Sequence, residues 1–148
     1  VDLGLSSNVN FVGYKSQAEV RKYFEQTDVF VLSSFAEGVP VVLMEAMAAG
    51  VPVVATQIAG VNELVEYGVS GYIIPPGNPI PLTQSIEELL NNSELRNKFG
   101  IAARSKVEQE FNINLEAQKL YKVINRALQS VDSEQLPASN YQDLKVRS

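Results

Sequence analysis

The strand, loop and helix predicted between residues 29 and 50 constrain the fold of this chain more than any other segment. Residues 29–32 are apolar and either β-branched, aromatic or leucine, which predicts a short buried strand. The loop that begins at Ser33 leads into an apolar stretch that ends at Gly50, and a glycine at this point is typical of a residue that closes a helix. A buried strand followed by a helix is typical of parallel α/β domains.

The predicted helix carries one carboxylate in an apolar setting. Glu45 is the only ionisable side chain between Gly38 and Gly50. Because the helix is apolar on nearly every side, we expect it to be buried. A buried carboxylate without hydrogen-bond donors loses much of its hydration free energy. We therefore expect either a protein group or a ligand to donate to Glu45.

The start of the same helix has the features of an anion site. Pro40 suits the first helical position because its φ is fixed. The N–H groups of Val41 and Val42 would then lack partners within the helix and could bind a diphosphate, helped by the helix dipole. Gly38 would let this ligand approach the backbone closely.

Two glutamates near this anion site each have two interpretations. Glu45, about one turn into the helix, could accept hydrogen bonds from a vicinal diol such as a ribose, and Glu37 in the loop could do the same for sugar hydroxyls. Alternatively, Glu37 only complements the helix dipole, and Glu45 pairs with a lysine or arginine from a neighbouring helix. The residues alone leave these alternatives open.

The segment 37–56, EGVPVVLMEAMAAGVPVVAT, resembles the nucleotide-sugar-binding half of a family 4 retaining glycosyltransferase with the GT-B fold, and the resemblance extends over about residues 8–128. It implies that Glu45 binds the ribose diol and that Glu37 contacts the donor sugar as the catalytic residue. It also implies that the residues between them hold the sugar and the phosphates: Gly38, Val39, Pro40, Val41 and Val42.

The N-terminal part of the chain is predicted to contribute a strand and a loop. Residues 9–12 have the composition of a first strand, and Ser16 with Glu19 forms a capping-box pattern that predicts the start of a helix. The resemblance implies that the loop between them, with Gly13 and Tyr14, lies against the nucleobase through its backbone. An ordinary strand-to-helix turn is the alternative for Tyr14.

The remaining pattern alternates strands with helices. Further strands are predicted at residues 51–55 and 72–74, and helices are predicted from Pro79, from a cap at Ser93 and near Asn114. We expect the loop 56–60 to flank the ligand, and Glu63 to support a helix N-terminus. The predicted fold class is α/β, a Rossmann-like doubly wound parallel sheet with helices on both faces, which is one half of a GT-B fold.

Composition excludes several classes of site. The chain has no cysteine and no histidine, so it offers no disulfide, no thiolate or histidine metal site and no histidine base. It also lacks an Asp-x-Asp pair, and we expect no metal and no cofactor besides the nucleotide-sugar substrate. A net charge of −5 argues against a nucleic-acid partner.

We expect residues 1–128 to form the donor-binding domain and residues 129–148 to be a polar, disordered tail. Compared with the resembled family, the acceptor-binding N-terminal domain and the first strands of the donor-binding domain are missing. The basic residues that neutralise the diphosphate in that family would also lie upstream. We therefore interpret the chain as a fragment that is inactive alone.

The function implied is donor binding within a metal-independent retaining glycosyltransferase. The complete protein would transfer a hexosyl unit from a nucleoside-diphosphate sugar to a glycan, lipid or small-molecule acceptor, which the missing domain would bind. The alternatives are a noncatalytic nucleotide-sugar-binding module and a sugar-nucleotide epimerase of the same fold. We expect a cytoplasmic location, and peripheral association of the full-length protein with the inner face of the membrane stays open.

Overall fold

A computed structural model describes residues 3–133 of the chain, with side chains described up to residue 129. The elements, in chain order, are α1 (Gln17–Phe24), β1 (Phe30–Leu32), α2 (Val41–Ala48), β2 (Val53–Thr56), α3 (Val61–Leu64), β3 (Gly71–Ile74), α4 (Pro79–Asn91), α5 (Ser93–Glu110) and α6 (Ile113–Ser133). They fall into two compact units, Val1–Glu110 and Phe111–Ser148. The boundary of the donor-binding domain at residue 128 stays a prediction.

The three strands form one parallel sheet in the order β1-β2-β3. All four residues of the central strand β2 are buried, as expected for a strand that is covered on both faces. The predicted parallel α/β arrangement is therefore confirmed. Because the strands are parallel, the loops that follow them at residues 33, 57 and 75 leave from the same edge of the sheet.

One core cluster joins the sheet to helices α4 and α5. Val54, Tyr72 and Ile74 on one face of the sheet pack against Leu89 of α4 and Phe99 of α5. The rings of Tyr72 and Phe99 meet edge to face, with centroids 5.2 Å apart. Full burial of a side chain of this size contributes about 1.5–3 kcal/mol, so this cluster fixes α4 and α5 on the sheet.

Helix α1 begins as predicted. The carboxylate of Glu19 accepts hydrogen bonds from the hydroxyl (2.7 Å) and the backbone N–H (2.9 Å) of Ser16. Both bonds favour the charged carboxylate, the bond from the hydroxyl more than the bond from the N–H, and they hold the pKa of Glu19 below its ordinary value. Phe24 is buried and its ring packs edge to face on Phe30 of β1, at a centroid distance of 5.7 Å. The apolar spacing of α1 predicts that Tyr23 is buried together with Phe24, but Tyr23 is 44% exposed.

The predicted first strand at residues 9–12 is wrong. These residues have no strand conformation, and the ring of Phe11 is 93% exposed. A strand forms only where a neighbour pairs with its N–H and C=O groups. In the part of the chain that the structure describes, the only sheet is the three-stranded one, and residues 9–12 do not join it.

Helix α2 is buried on one side only, which corrects the prediction of a helix buried nearly all round. Leu43, Ala46 and Met47 are fully buried, whereas Val41 is 59% exposed. The buried side packs on β1, β2 and α5. The end of α2 lies so close to α5 that only a glycine fits at residue 100. A Cβ on Gly100 would lie 2.1 Å from the carbonyl oxygen of Gly50.

The junction between α4 and α5 is capped by Asn92 rather than by the predicted Ser93. The Asn92 side chain accepts a hydrogen bond of 2.9 Å from the N–H of Leu95. Arg96 then donates to the last carbonyl groups of α4, at 2.7 Å from the oxygen of Leu89, and lies 3.6 Å from the carboxylate of Asp28. Asn is as good an N-cap as Ser, so composition alone does not distinguish the two positions.

Helix α6 belongs to the second unit and differs from its prediction in two ways. It continues to Ser133, so the predicted tail is helical at its start, and residues 134–148 lie outside the described part of the chain. Its apolar residues recur at helical spacing, which predicts a stripe that faces the core, but this stripe is exposed: Leu120, Tyr121 and Leu128 are each more than half exposed. Between residues 111 and 133 α6 is the only element, and a single helix cannot bury its own apolar face.

Candidate functional site

The loop between β1 and α2, residues 33–40, carries the first predicted carboxylate. Glu37 is exposed, and its Oε1 accepts a hydrogen bond of 2.8 Å from the hydroxyl of Ser34. This bond orients the carboxylate within the loop. The sequence prediction did not include Ser34, although its Ser-x-x-Glu spacing to Glu37 is visible in the sequence.

A buried threonine at the end of β2 anchors this loop. Thr56 is 3% exposed, and its hydroxyl donates a hydrogen bond to the carbonyl oxygen of Ser34. The same hydroxyl lies 3.4 Å from the carbonyl oxygen of Leu32. Because a buried hydroxyl is costly without a partner, this bond fixes the beginning of the loop to the sheet.

The loop after β2 meets the Glu37 loop at two glycines. Gly60 has a positive φ of 67°, and a Cβ at this residue would lie 1.7 Å from the carbonyl oxygen of Gly38. A Cβ at Gly38 would meet no atom within 4 Å, so Gly38 itself borders open space. Thus residues 56–60 do flank the predicted site, and Gly60 packs the two loops together. The feature of the sequence that could have indicated this role is the position of Gly60 directly before a short helix.

The N-terminus of α2 lies at the same edge of the sheet. Pro40 is buried and precedes the helix as its N-cap, with a ψ of 111°, so the prediction that it occupies the first helical position is wrong. A helical residue needs a ψ of about −40°, which Pro40 does not adopt. The helical hydrogen bonds begin at the N–H groups of Leu43 and Met44, which both donate to the Pro40 carbonyl. The N–H groups of Val41 and Val42 therefore precede the first helical hydrogen bond and have no acceptor within the helix, as predicted.

Glu45 is half-buried and already has one protein donor. The side-chain amide of Gln17 in α1 donates to its Oε1 at 3.2 Å. A cleft of about 460 Å³ between α1 and α2 is bordered by Gln17, Arg21 and Glu45, and it is otherwise lined mainly by apolar side chains. Among the residues described, the ion pairs found do not include Glu45, so the alternative of an arginine or lysine partner gains no support.

Gly13 and Tyr14, the predicted nucleobase contacts, precede α1. Gly13 has a positive φ of 64°, which gives the chain a turn before the helix, and the side chain of Tyr14 is 97% exposed. The turn leads within a few residues to Gln17, which contacts Glu45. The role of Gly13 and Tyr14 in binding a base stays a prediction.

The described residues contain no group of three or more acidic, histidine or cysteine side chains placed to hold a metal ion. Glu63 lies in the first turn of α3, in the position expected for a residue that supports a helix N-terminus. None of the helices between residues 3 and 133 is long and apolar enough to cross a membrane.

A family model described as "Glycosyl transferases group 1" matches residues 2–106, which is more than half of the chain. The chain belongs to this family. The resemblance stated from the sequence is therefore confirmed. Within the family, the amylovoran biosynthesis glycosyltransferase AmsK of Erwinia amylovora is 37% identical over 131 residues, which cover 84% of this chain and 32% of AmsK. The chain thus spans about a third of the length of this relative.

Solved structures of glycosyltransferases with the GT-B fold match the same region. The crystal structure of Anabaena Alr3699/HepE in complex with UDP superposes with a TM-score of 0.79 and 29% identity, covering 84% of this chain and 34% of that one. Sucrose-phosphate synthase from Thermosynechococcus elongatus gives a TM-score of 0.80 and 26% identity, over 86% of this chain and 32% of the synthase. The fold is one Rossmann-like half of the GT-B architecture.

Proposed function

We propose that this chain is the donor-binding part of a glycosyltransferase that transfers a hexosyl unit from a nucleoside-diphosphate sugar. The observation that carries the proposal is the arrangement of two glutamates on either side of the free amides at the start of α2. Glu37 lies in the loop before these amides and Glu45 lies one turn after them. A sugar nucleotide has its groups in the same order: hydroxyls of the sugar, then the diphosphate, then the ribose diol.

Each part of the site has a distinct role in this proposal. The N–H groups of Val41 and Val42 bind phosphate oxygens, because the start of a helix combines unpaired donors with the positive end of the dipole. The carboxylate of Glu45 accepts hydrogen bonds from the ribose diol, and Gln17 holds it in place. Glu37 accepts from the sugar hydroxyls, and Gly38, Val39 and Pro40 shape the backbone around the sugar.

The reaction we propose is electrostatic. Donors around the diphosphate stabilise the negative charge of the leaving group while the sugar carbon gains positive character, and Glu37 lies beside the sugar as the catalytic residue. We propose that transfer retains the anomeric configuration and needs no metal. The acceptor, a glycan, a lipid or a small molecule, binds to parts of the complete protein that correspond to the remaining two thirds of the relatives.

A second crystal structure of the Anabaena relative supports the choice of ligand. HepE in complex with UDP-glucose superposes with a TM-score of 0.77 over 84% of the chain. The alternative function, a noncatalytic nucleotide-sugar-binding module, shares the fold and the site. It differs only in the absence of turnover by the complete protein.

Calorimetric titration of the chain with a panel of nucleoside-diphosphate sugars tests the donor site. We expect saturable binding of at least one member, and weaker binding at high salt, because the diphosphate is charged. Binding of none would contradict the proposal. For the complete protein, release of the nucleoside diphosphate in the presence of a chelator, together with the anomeric configuration of the product, tests the metal-independent retaining transfer.

A further inference from the structure

We propose that Ser34 is a positioning residue that holds Glu37 in the orientation needed to bind the donor sugar. This inference rests on the proposed function. Its starting observation is the hydrogen bond of 2.8 Å from the Ser34 hydroxyl to Oε1 of Glu37. Glu37 is exposed, and a free glutamate at the surface samples several rotamers that it must give up on binding a ligand. A residue that orders the carboxylate beforehand reduces this entropic cost.

The same spacing has a different purpose elsewhere in the chain. Ser16 and Glu19 are also three residues apart and also hydrogen-bonded, and there the pair caps the start of α1. No helix begins at Ser34, because α2 starts only at Val41 and residues 33–40 form a loop. The bond between Ser34 and Glu37 therefore stabilises no helix end, and its effect is to orient the carboxylate.

Ser34 is itself held by the sheet through its main chain. Its carbonyl oxygen accepts the hydrogen bond from the buried hydroxyl of Thr56. The anchor uses the backbone and the contact with Glu37 uses the side chain, so the two functions can be separated by mutation. Ser34→Ala keeps the anchor and removes only the donor to Glu37.

The test is the ratio of the dissociation constants for UDP and UDP-glucose, which isolates the contribution of the sugar. We expect Ser34→Ala to lower the preference for UDP-glucose by about 3- to 10-fold, the usual net effect of losing one hydrogen bond, with unchanged affinity for UDP. Ser34→Thr retains the hydroxyl and should restore the preference. The matched control is Ser33→Ala, since Ser33 is the adjacent serine and should leave the ratio unchanged.

The outcomes separate this inference from the proposed function. If Glu37→Gln lowers the preference for UDP-glucose and Ser34→Ala does not, Ser34 has no positioning role, while the function stands. If the wild-type chain does not bind UDP-glucose more tightly than UDP, or if Glu37→Gln leaves the ratio unchanged, the role of Glu37 in the proposed function is wrong and the role of Ser34 is wrong with it. A uniform loss of affinity for both ligands in Ser34→Ala would show a structural effect and would also overturn the inference.

Discussion

The two sides of the candidate donor site differ in how firmly the chain holds them. On the sheet side, Thr56 ties the Glu37 loop to β2, and Gly60 contacts the backbone of Gly38. On the α1 side, the segment before the helix is not part of the sheet, and Tyr14 is 97% exposed. The groups assigned to the sugar and the diphosphate are thus fixed by tertiary contacts, whereas those assigned to the nucleobase are not.

This difference shows where a local pattern is sufficient to form structure. The strand at β2 forms because β1 and β3 pair with it on both sides. Residues 9–12 have a similar apolar pattern, yet no described strand pairs with them. Strand propensity measures how well side chains fit a pleated surface that is already paired, and it does not create the pairing.

The largest expected effect is on the sheet side, from Gly60→Ala. The new Cβ would overlap the carbonyl oxygen of Gly38, and the positive φ is also unfavourable for alanine. We expect a loss of about 2–4 kcal/mol in the free energy of unfolding, measured by urea titration. Gly68→Ala is the matched control: Gly68 has a similar φ of 73° but open space around it, so this variant should lose only the smaller conformational cost. Equal losses would show that the two loops are not packed together as described.

Thr56→Val tests the anchor of the Glu37 loop. Valine has the same shape but leaves the carbonyl oxygen of Ser34 without this donor, which should cost about 1–3 kcal/mol of stability. Thr83→Val removes an exposed hydroxyl bonded at 3.0 Å to the carbonyl oxygen of Pro79, and should change stability by less than about 0.5 kcal/mol. Similar costs for the two variants, in the same urea titration, would argue against a special role for Thr56.

A smaller effect, which weakens in acid, is expected at the start of α1. The pKa of Glu19 is lowered in the folded state by its bonds from Ser16, so its contribution is present above the unfolded pKa and is lost as the pH falls through the folded pKa. Glu19→Gln should therefore reduce Tm more at a pH of about 7 than at about 3. Glu87→Gln, an exposed position on α4, is the control. An equal reduction of Tm at both values of pH would contradict a role for the ionised carboxylate.

The smallest effect is expected from Tyr14→Ala. Because the side chain is almost fully exposed, the free energy of unfolding should change by less than about 0.5 kcal/mol. Nucleotide affinity should also be unchanged if, as the family resemblance implies, this loop contacts the base through its backbone. Loss of affinity would show that the Tyr14 ring itself binds the base, and loss of stability would show that the segment before α1 is packed.

The parts that could be predicted from the sequence are those that local pattern determines. The three strands, α1 with its cap and α2 with its closing Gly50 follow from apolar runs, from Ser16 with Glu19 and from a glycine. Gln17 was not predicted as part of the site, and Gly60 was predicted only as the end of a flanking loop. Their contacts depend on a residue from a distant segment: Glu45 for Gln17 and Gly38 for Gly60.

The burial of α2 and α6 was predicted incorrectly for the same physical reason. An apolar residue shows that burial is favourable but does not supply the surface that covers it. Val41 of α2 and Leu120 of α6 are accordingly exposed although both belong to apolar patterns. The exposed Val41 places the start of α2 at the surface, where its N–H groups can meet a ligand.

The central claim is that Glu45 binds the nucleotide rather than stabilising the fold, and calorimetric titration of Glu45→Gln with UDP tests it most directly. Glutamine keeps the size of the side chain and can still bond to Gln17, but it has one acceptor oxygen instead of two for the ribose diol. We expect at least about 10-fold weaker binding of UDP than by the wild-type chain, with an unchanged Tm. Unchanged affinity together with a lower Tm would contradict the claim and would show that Glu45 is a structural residue.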